Sequence, residues 1–348
     1  MSLRSSADVK EYLKTNTTLG LDNTEDYQVD ELTGGTANWV YRLTNTADGT
    51  TSILKHAAPF VRSSPSMAFP AMRMDFEAGV LNALLDVLPH DEVVEPVLFL
   101  AYDKEAKLLR MGDGGERTLK DAYMYDPELN VVEAGARLGM WLAGLHQYTS
   151  KLDIGDNKVA KAIYRHSYNN VSEALAEFGL DQTLGERVNE QFGSKLQTDD
   201  GMVCHGDFWT GNVLVKSDPL RLTVVDWEMT RRGNGVTDVG QFAAEAWLLD
   251  RFHGGKGMLP AFLTAYREAK GEEDDPEWDP EFTNRQRIAI HFGTHIAYWP
   301  TRVEWGSNEE TVEVVKIGSN VLMHALEKDY EWFKEGPLAP LFQSMVEK

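Results

Sequence analysis

The sequence predicts an α+β fold in two lobes, a small N-terminal antiparallel-sheet lobe with one helix and a larger, mainly helical C-terminal lobe. Three observations predict it. Short β-branched and aromatic runs bounded by turn residues fill the first third of the chain. Beyond residue 130, apolar residues recur at spacings of three, four and seven, the period of a buried helix face. Between these regimes lies a glycine-rich hinge, MGDGGER (111–117), which sets the expected lobes at 1–112 and 113–348.

In the first lobe, residues 27–32, 38–43 and 51–54 read as strands, the first two separated by Thr33-Gly34-Gly35-Thr36-Ala37. A Gly34-Gly35 turn lets backbone amides approach a phosphate closely, although such a pair also makes an ordinary hairpin. Asn38, at the end of that loop, is counted with the candidate nucleotide-binding residues. Lys55 ends the third strand, where a lysine reaches the α and β phosphates of a nucleotide. The helical segment 72–85 follows and carries Glu77, the candidate partner holding Lys55 in place. After a breaker-rich region at 89–96, residues 97–102 and 108–111 read as two more strands. Backbone groups of Met111 to Asp113 are then placed to meet an adenine edge.

In the second lobe, Val131, Ala134, Leu138, Trp141, Leu142 and Leu145 form one apolar face that ends at His146, read as a hydrogen-bonded core histidine. Further helices are expected around 168–194, 238–252, 258–270, 281–303 and 308–336. The acidic run EEDDPEWDPE (272–281) reads as a solvated loop, and no internal repeat is visible.

The chemistry concentrates in HGDFWTGN (205–212), VLVKSDPLRLTVV (213–225) and DWE (226–228). Residues 213–215 and 222–225 read as two strands, with Ser217, Asp218 and Pro219 supplying the turn. Pairing centred near Pro219 puts Asn212 opposite Asp226, with Cβ atoms roughly 5 Å apart. An amide oxygen and a carboxylate at that spacing suit Mg²⁺, which takes hard oxygen ligands and few carboxylates. Asp207, five residues before Asn212, is placed to accept the proton of a substrate hydroxyl. Taken separately these are ordinary turn residues. Together, an Asp, an Asn five later and a second Asp after a hairpin follow the order of a protein-kinase catalytic loop and metal-binding Asp. The predicted reaction is ATP- and Mg²⁺-dependent phosphorylation of a hydroxyl.

Composition narrows the partners. The 348 residues contain no run approaching the roughly 20 apolar residues of a membrane helix. A net charge of −21 disfavours a nucleic-acid polymer, which calls for a basic patch. The opening MSLRSSADVKEYL lacks the apolar core of a secretory signal, and the single cysteine, Cys204, has no partner for an internal disulfide. A cytoplasmic enzyme, monomer or homodimer, with a small-molecule hydroxyl acceptor is expected. Cys204 reads as a small packed residue.

GGTANWVYRL (34–43), ILKHAAPFVR (53–62), LGMWLAGLH (138–146), HGDFWTGNVLV (205–215), DWE and TDVGQF (237–242) carry a family resemblance. The whole chain resembles the aminoglycoside phosphotransferase and choline kinase superfamily, whose protein-kinase-like two-lobed fold it is expected to share. Within that superfamily it is most similar to methylthioribose kinase and fungal small-molecule kinases. The resemblance implies Asp207 as catalytic base, Asn212 and Asp226 as Mg²⁺ ligands, and Glu228 as a further metal or water-shell carboxylate. It also implies Lys55 as phosphate clamp, Glu77 as its partner and Asp238 as a brace for the catalytic loop. Methylthioribose kinases carry an arginine pair where EVVKIGS (313–319) offers only Lys316, which weakens that acceptor. YWPTRVEWGSNEE (298–310) is instead similar to a fungal kinase acting on a hydroxytryptamine. Trp299, Arg302 and Trp305 of that segment, together with Trp209 and Arg231, are the candidate acceptor-binding residues, and the acceptor stays open among a thiosugar, an aminoglycoside, choline or ethanolamine, and an indole or other amine. Two alternatives are a pseudokinase, against which Lys55, Asp207 and Asp226 all stand, and a protein kinase, for which no Ala-Pro-Glu-type segment follows DWE.

Overall fold

The computed structural model describes residues 3–271 and 283–343, so the acidic run at 272–281 lies outside the described residues. The fold is α+β, with an antiparallel-sheet lobe followed by a helical C-terminal region, as the sequence predicts.

Helix α1 (Ser6–Thr15) opens the chain; Ser5 caps it by accepting from the Asp8 amide. The sequence reading passed over it. Strands β1 (Tyr27–Leu32), β2 (Trp39–Asn45) and β3 (Thr51–His56) follow, then a small hairpin of β4 (Phe60–Val61) and β5 (Ser64–Ala68). Next come α2 (Arg73–Val87), β6 (Val94–Pro96), β7 (Phe99–Asp103) and β8 (Leu108–Gly112). The main sheet is antiparallel, in the order β1-β2-β3-β8-β7.

Alternation along β3 decides what each face of this sheet does. Leu54 packs with Tyr41, Leu43 and the α1 residues Val9 and Leu13, whereas Ile53 faces Met74, Ala78 and Leu81 of α2. Lys55, two residues after Ile53, shares the α2 face.

The expected breaker at 89–96 needs correction, because Val94–Pro96 forms a strand. It pairs in parallel with the catalytic hairpin, Leu222 opposite Val94, and the Val97 amide donates to Val224 O at 2.9 Å just past the proline. Long-range pairing overrides the local signal there.

The second region contains α3 (Leu119–Tyr125), α4 (Val131–Tyr148), α5 (Lys158–Tyr164), α6 (His166–Glu177) and α7 (Gln182–Gln191). After β9 (Met202–Cys204), β10 (Val213–Ser217), β11 (Leu220–Val224) and β12 (Arg231–Gly233) come α8 (Val236–His253) and α9 (Met258–Lys270). Helices α10 (Thr283–Tyr298), α11 (Asn308–Glu327) and α12 (Ala339–Phe342) complete it. The single helix expected at 168–194 is two, divided where Gly179 takes φ +70° and Asp181 caps α7. The one expected at 308–336 stops at Glu327, where Lys328 turns left-handed at φ +56°. Among the described residues, no helix is long and apolar enough to cross a membrane.

Candidate active site

The catalytic hairpin has a register one residue away from the expected one. Ser217 pairs with Leu220 and Val213 with Val224, so the turn is two residues long, Asp218-Pro219, rather than three. Asn212 therefore faces Val225, whose amide donates to Asn212 O at 2.9 Å. Asp226 lies one residue beyond, in a left-handed conformation (φ 68°, ψ 58°) that Asp tolerates better than most residues.

There its carboxylate meets Lys55, whose ammonium donates to Asp226 Oδ1 and to Glu77 Oε1 at 2.9 Å. Glu77 is fully buried and also accepts from the Trp227 amide at 3.1 Å. Glu77, Asp226 and Glu228 each offer an oxygen within 4.8 Å of the others. Burial alone would discharge Lys55, but the carboxylates of Asp226, Glu77 and Glu228 hold it charged, well above its ordinary range. Burial pushes Glu77 up to about 7 against the opposing pull of Lys55, and the charges of Asp226 and Glu228 add to the rise. Burial acts on Asp226 in the same sense, yet Lys55 outweighs it and keeps that carboxyl below its usual range.

Glu228 is held from the other side. Its Oε2 accepts from Asn38 Nδ2 at 2.7 Å and Arg73 Nε at 2.9 Å, while Arg73 Nη2 donates to Asn38 Oδ1 at 2.8 Å. The Asn38 side chain is thus committed to Glu228 and Arg73. Arg73 was missed in the sequence, although it stands four residues before Glu77 on the same helical face.

Asp207 sits in the loop between β9 and β10, and that loop is pinned from below. Asp238, in the first turn of α8, accepts from the His205 amide at 2.8 Å and the Gly206 amide at 3.0 Å. His146, buried as expected, lies 3.3 Å from Asp238 Oδ2 and 3.0 Å from Tyr266 Oη. Gly206 takes φ +89°, and a Cβ there would lie 2.0 Å from Met229 O, so only glycine fits. His205 Nδ1 accepts from the Asp207 amide at 3.2 Å, which leaves Nε2–H to donate to Val225 O at 3.0 Å. The Asp207 carboxylate accepts from Gln241 Nε2 at 2.6 Å and Asn212 Nδ2 at 2.9 Å. Burial, helped by the charge of Asp226, raises Asp207 to about 6. Gln241 was not singled out either, although it lies within the TDVGQF segment.

The remaining candidates divide. The indole of Trp209 lies over Gly211, and Lys120 Nζ sits 5.4 Å from its ring and 4.2 Å from that of Trp305, which links the two tryptophans. Trp299, 36 % exposed, lies 6.2 Å from His295. Arg302 is an exposed residue that pairs with Glu177 at 3.1 Å. Arg231 needs correction as an acceptor contact. It is 1 % exposed, its guanidinium 3.7 Å over the Tyr164 ring and donating to Thr237 Oγ1 at 3.1 Å. Placement in β12, antiparallel to β9, turns it beneath the catalytic loop. Met111 is buried opposite Ile53, the Gly112 amide already donates to Leu98 O at 2.8 Å, and Asp113 pairs with Arg42 at 2.7 Å. Gly34 and Gly35 are exposed, Gly34 with φ +115°. Cys204 is buried in the core, where burial raises its thiol.

The chain is 26% identical over 334 residues to the 4-hydroxytryptamine kinase of Psilocybe cubensis, covering 88% of this chain and 89% of that protein. Among solved structures it is similar to choline kinase from Cryptosporidium parvum, with a TM-score of 0.53 and 13% identity, covering 97% of this chain and 98% of that one. Amicoumacin kinase, solved with AMP-PNP, Ca²⁺ and its ligand, gives a TM-score of 0.52 at 14% identity, covering 92% and 93%. At these identities the two structures establish the shared fold. Residues 28–281 match the Phosphotransferase enzyme family, and the chain belongs to that family.

Proposed function

We propose that this phosphotransferase uses ATP and Mg²⁺ to phosphorylate the hydroxyl of a small molecule that also carries an amine. The observation that carries the reading is the convergence of Asp207, Asn212, Asp226 and Lys55 around the mouth of one hairpin. Asp207 aligns the hydroxyl for in-line attack and accepts its proton; a carboxylate near 6 is ionised at neutral pH yet basic enough for the task. Lys55, fixed by Glu77, would clamp the α and β phosphates. Residues 1–112 hold the nucleotide and 113–348 the acceptor.

The donor set fits a hard divalent cation. The Asn212 amide nitrogen is bound to Asp207, so its oxygen is the atom it has to offer a cation. Four carboxyl groups, those of Glu77, Asp226, Glu228 and Asp207, gather against two cations, Lys55 and Arg73, a surplus of acidic oxygens that a divalent ion would complete. Asn212 and Asp226 would hold Mg²⁺, with Glu228 in the surrounding shell. When bound, the ion neutralises charge on the phosphate oxygens. The AMP-PNP complex of amicoumacin kinase supports ATP as donor, and the name of the Psilocybe relative supports an aromatic hydroxyamine over methylthioribose.

The test is ADP release with MgATP across hydroxyamines, aminoglycosides, choline and methylthioribose, with Asp207→Asn as control. Acceptor-dependent release by the wild type alone is expected. Equal release by the variant would refute the role of Asp207.

A further inference from the structure

We propose that Tyr164 and His291 are positioning residues for the phosphoryl transfer: they fix the Gln241 amide in the one orientation that donates to Asp207. This rests on the phosphotransfer reading above and adds the side chains, from three helices, that set the geometry of the acceptor-aligning carboxylate.

The Asp207 carboxylate is held at both oxygens, Oδ2 by Asn212 and Oδ1 by Gln241 Nε2 at 2.6 Å. A side-chain amide has a donor end and an acceptor end of nearly the same shape. Turned round, Gln241 would set its carbonyl oxygen against Oδ1 and repel it. The other end of the amide therefore matters. Gln241 Oε1 lies 3.2 Å from Tyr164 Oη, at the end of α5, whose hydroxyl also stands 3.1 Å from Thr237 O. A hydroxyl donating there holds the oxygen end in place and leaves the N–H end to Asp207.

Counting protons gives this chain its direction. His291, buried on α10, meets Tyr164 Oη through Nε2 at 2.8 Å and Tyr168 Oη through Nδ1 at 3.0 Å. Burial, with the charges of His295 and Arg231 acting in the same sense, keeps the ring uncharged, and an uncharged imidazole carries one N–H. With that proton on Nε2, three hydrogen bonds run one way: Tyr168 donates to Nδ1, Nε2 donates to Tyr164, and Tyr164 donates onward to Gln241 Oε1 and Thr237 O. With it on Nδ1, Tyr164 spends its only proton on His291. Gln241 Oε1, on a buried side chain, then loses its donor, which is costly. The rings are braced for the first arrangement, Tyr164 and His291 stacking at 5.2 Å with their planes 12° apart and Arg231 lying 3.7 Å over Tyr164. An amide does not pass protons along, so what travels through the chain is orientation.

The first measurement needs no acceptor. In the wild-type protein with nitrogen-15 histidine, long-range NMR correlations should report His291, assigned through its contacts with the Tyr164 and Tyr168 rings, as the uncharged Nε2–H form. An Nδ1–H form or a charged ring overturns the inference. The second compares kcat and KM with MgATP and 4-hydroxytryptamine in the wild type, Tyr164→Phe, Gln241→Leu and the double variant. Tyr164→Phe keeps the ring and loses one oxygen, so kcat should fall about tenfold with both KM values unchanged within about twofold. In the Gln241→Leu background the same substitution should cost nothing further. An unchanged kcat, a change confined to KM, or an equal loss in both backgrounds overturns the inference and leaves the phosphotransfer reading standing. If Gln241→Leu does not fold, the kcat and KM of Tyr164→Phe decide together with the histidine spectrum. If the wild type leaves 4-hydroxytryptamine untouched, the acceptor panel above judges the phosphotransfer reading, and the histidine spectrum judges this one.

Discussion

Asn38 and Glu228, 190 residues apart in sequence, share a hydrogen bond of 2.7 Å, and Arg73 donates to both. The end of the glycine loop is thereby tied to the segment that follows Asp226. Arg73 also donates to the carbonyls of Ala58 and Phe69, so one guanidinium gathers four stretches of chain.

This arrangement predicts an order of effects. Arg73→Met leaves a buried carboxylate without its cation and should cost about 3–5 kcal/mol. Asn38→Ala removes one donor while Arg73 remains, and should cost about 1 kcal/mol. Denaturant unfolding of the two variants measures both, and equal losses would show that the guanidinium is not the centre of the network.

The pH dependence of turnover follows from Asp207. Its carboxyl is raised to about 6 and must be ionised to accept a proton. Activity is therefore close to full at pH 7 and above, about half at pH 6, and falls about tenfold per further unit below pH 5. Asp207→Asn should lose turnover by about 10²-fold or more while still binding ATP. A kcat profile that stays flat down to pH 4 would remove the perturbed carboxylate from the mechanism.

What was legible in the sequence was whatever local pattern decides. The hairpin at 213–224 was readable from its β-branched runs, and its register was missed by one residue because two- and three-residue turns look alike around Asp218-Pro219. Lys55 and Glu77 were readable as a pair because strand alternation and helix spacing each present one side chain to the same interior. Arg73 and Gln241 were not, since their partners come from segments up to 155 residues away. Arg231 misled for the same reason: a cation beside a catalytic motif looks like a substrate contact until the β9–β12 pairing turns it inward. At Val94–Pro96 the β-branched Val93 and Val94 are too few, beside Pro96, to outweigh the breakers, and the strand exists through pairing with β11.

Asp226 tests the metal assignment. Asp226→Ala leaves Lys55 paired with Glu77, so the nucleotide-binding lobe should keep its fold. ATP binding should then lose its dependence on Mg²⁺. Calorimetric titration of ATP with and without Mg²⁺ measures this, and metal dependence equal to the wild type would exclude Asp226 as a ligand.

Arg231 separates a brace from a substrate contact. Its Nη1 is buried without a hydrogen-bond partner among the described residues and lies 2.6 Å from where a Cβ on Gly206 would stand, directly under the catalytic loop. Stacking on Tyr164 in a desolvated setting is worth about 2 kcal/mol, and the hydrogen bond to Thr237 about 1 more. Arg231→Met should therefore destabilise the protein by about 3 kcal/mol and lower kcat as the loop bearing Asp207 loosens, with acceptor KM little changed. Thermal unfolding and steady-state kinetics on the same variant decide it. A raised acceptor KM with unaltered stability would return Arg231 to the acceptor site.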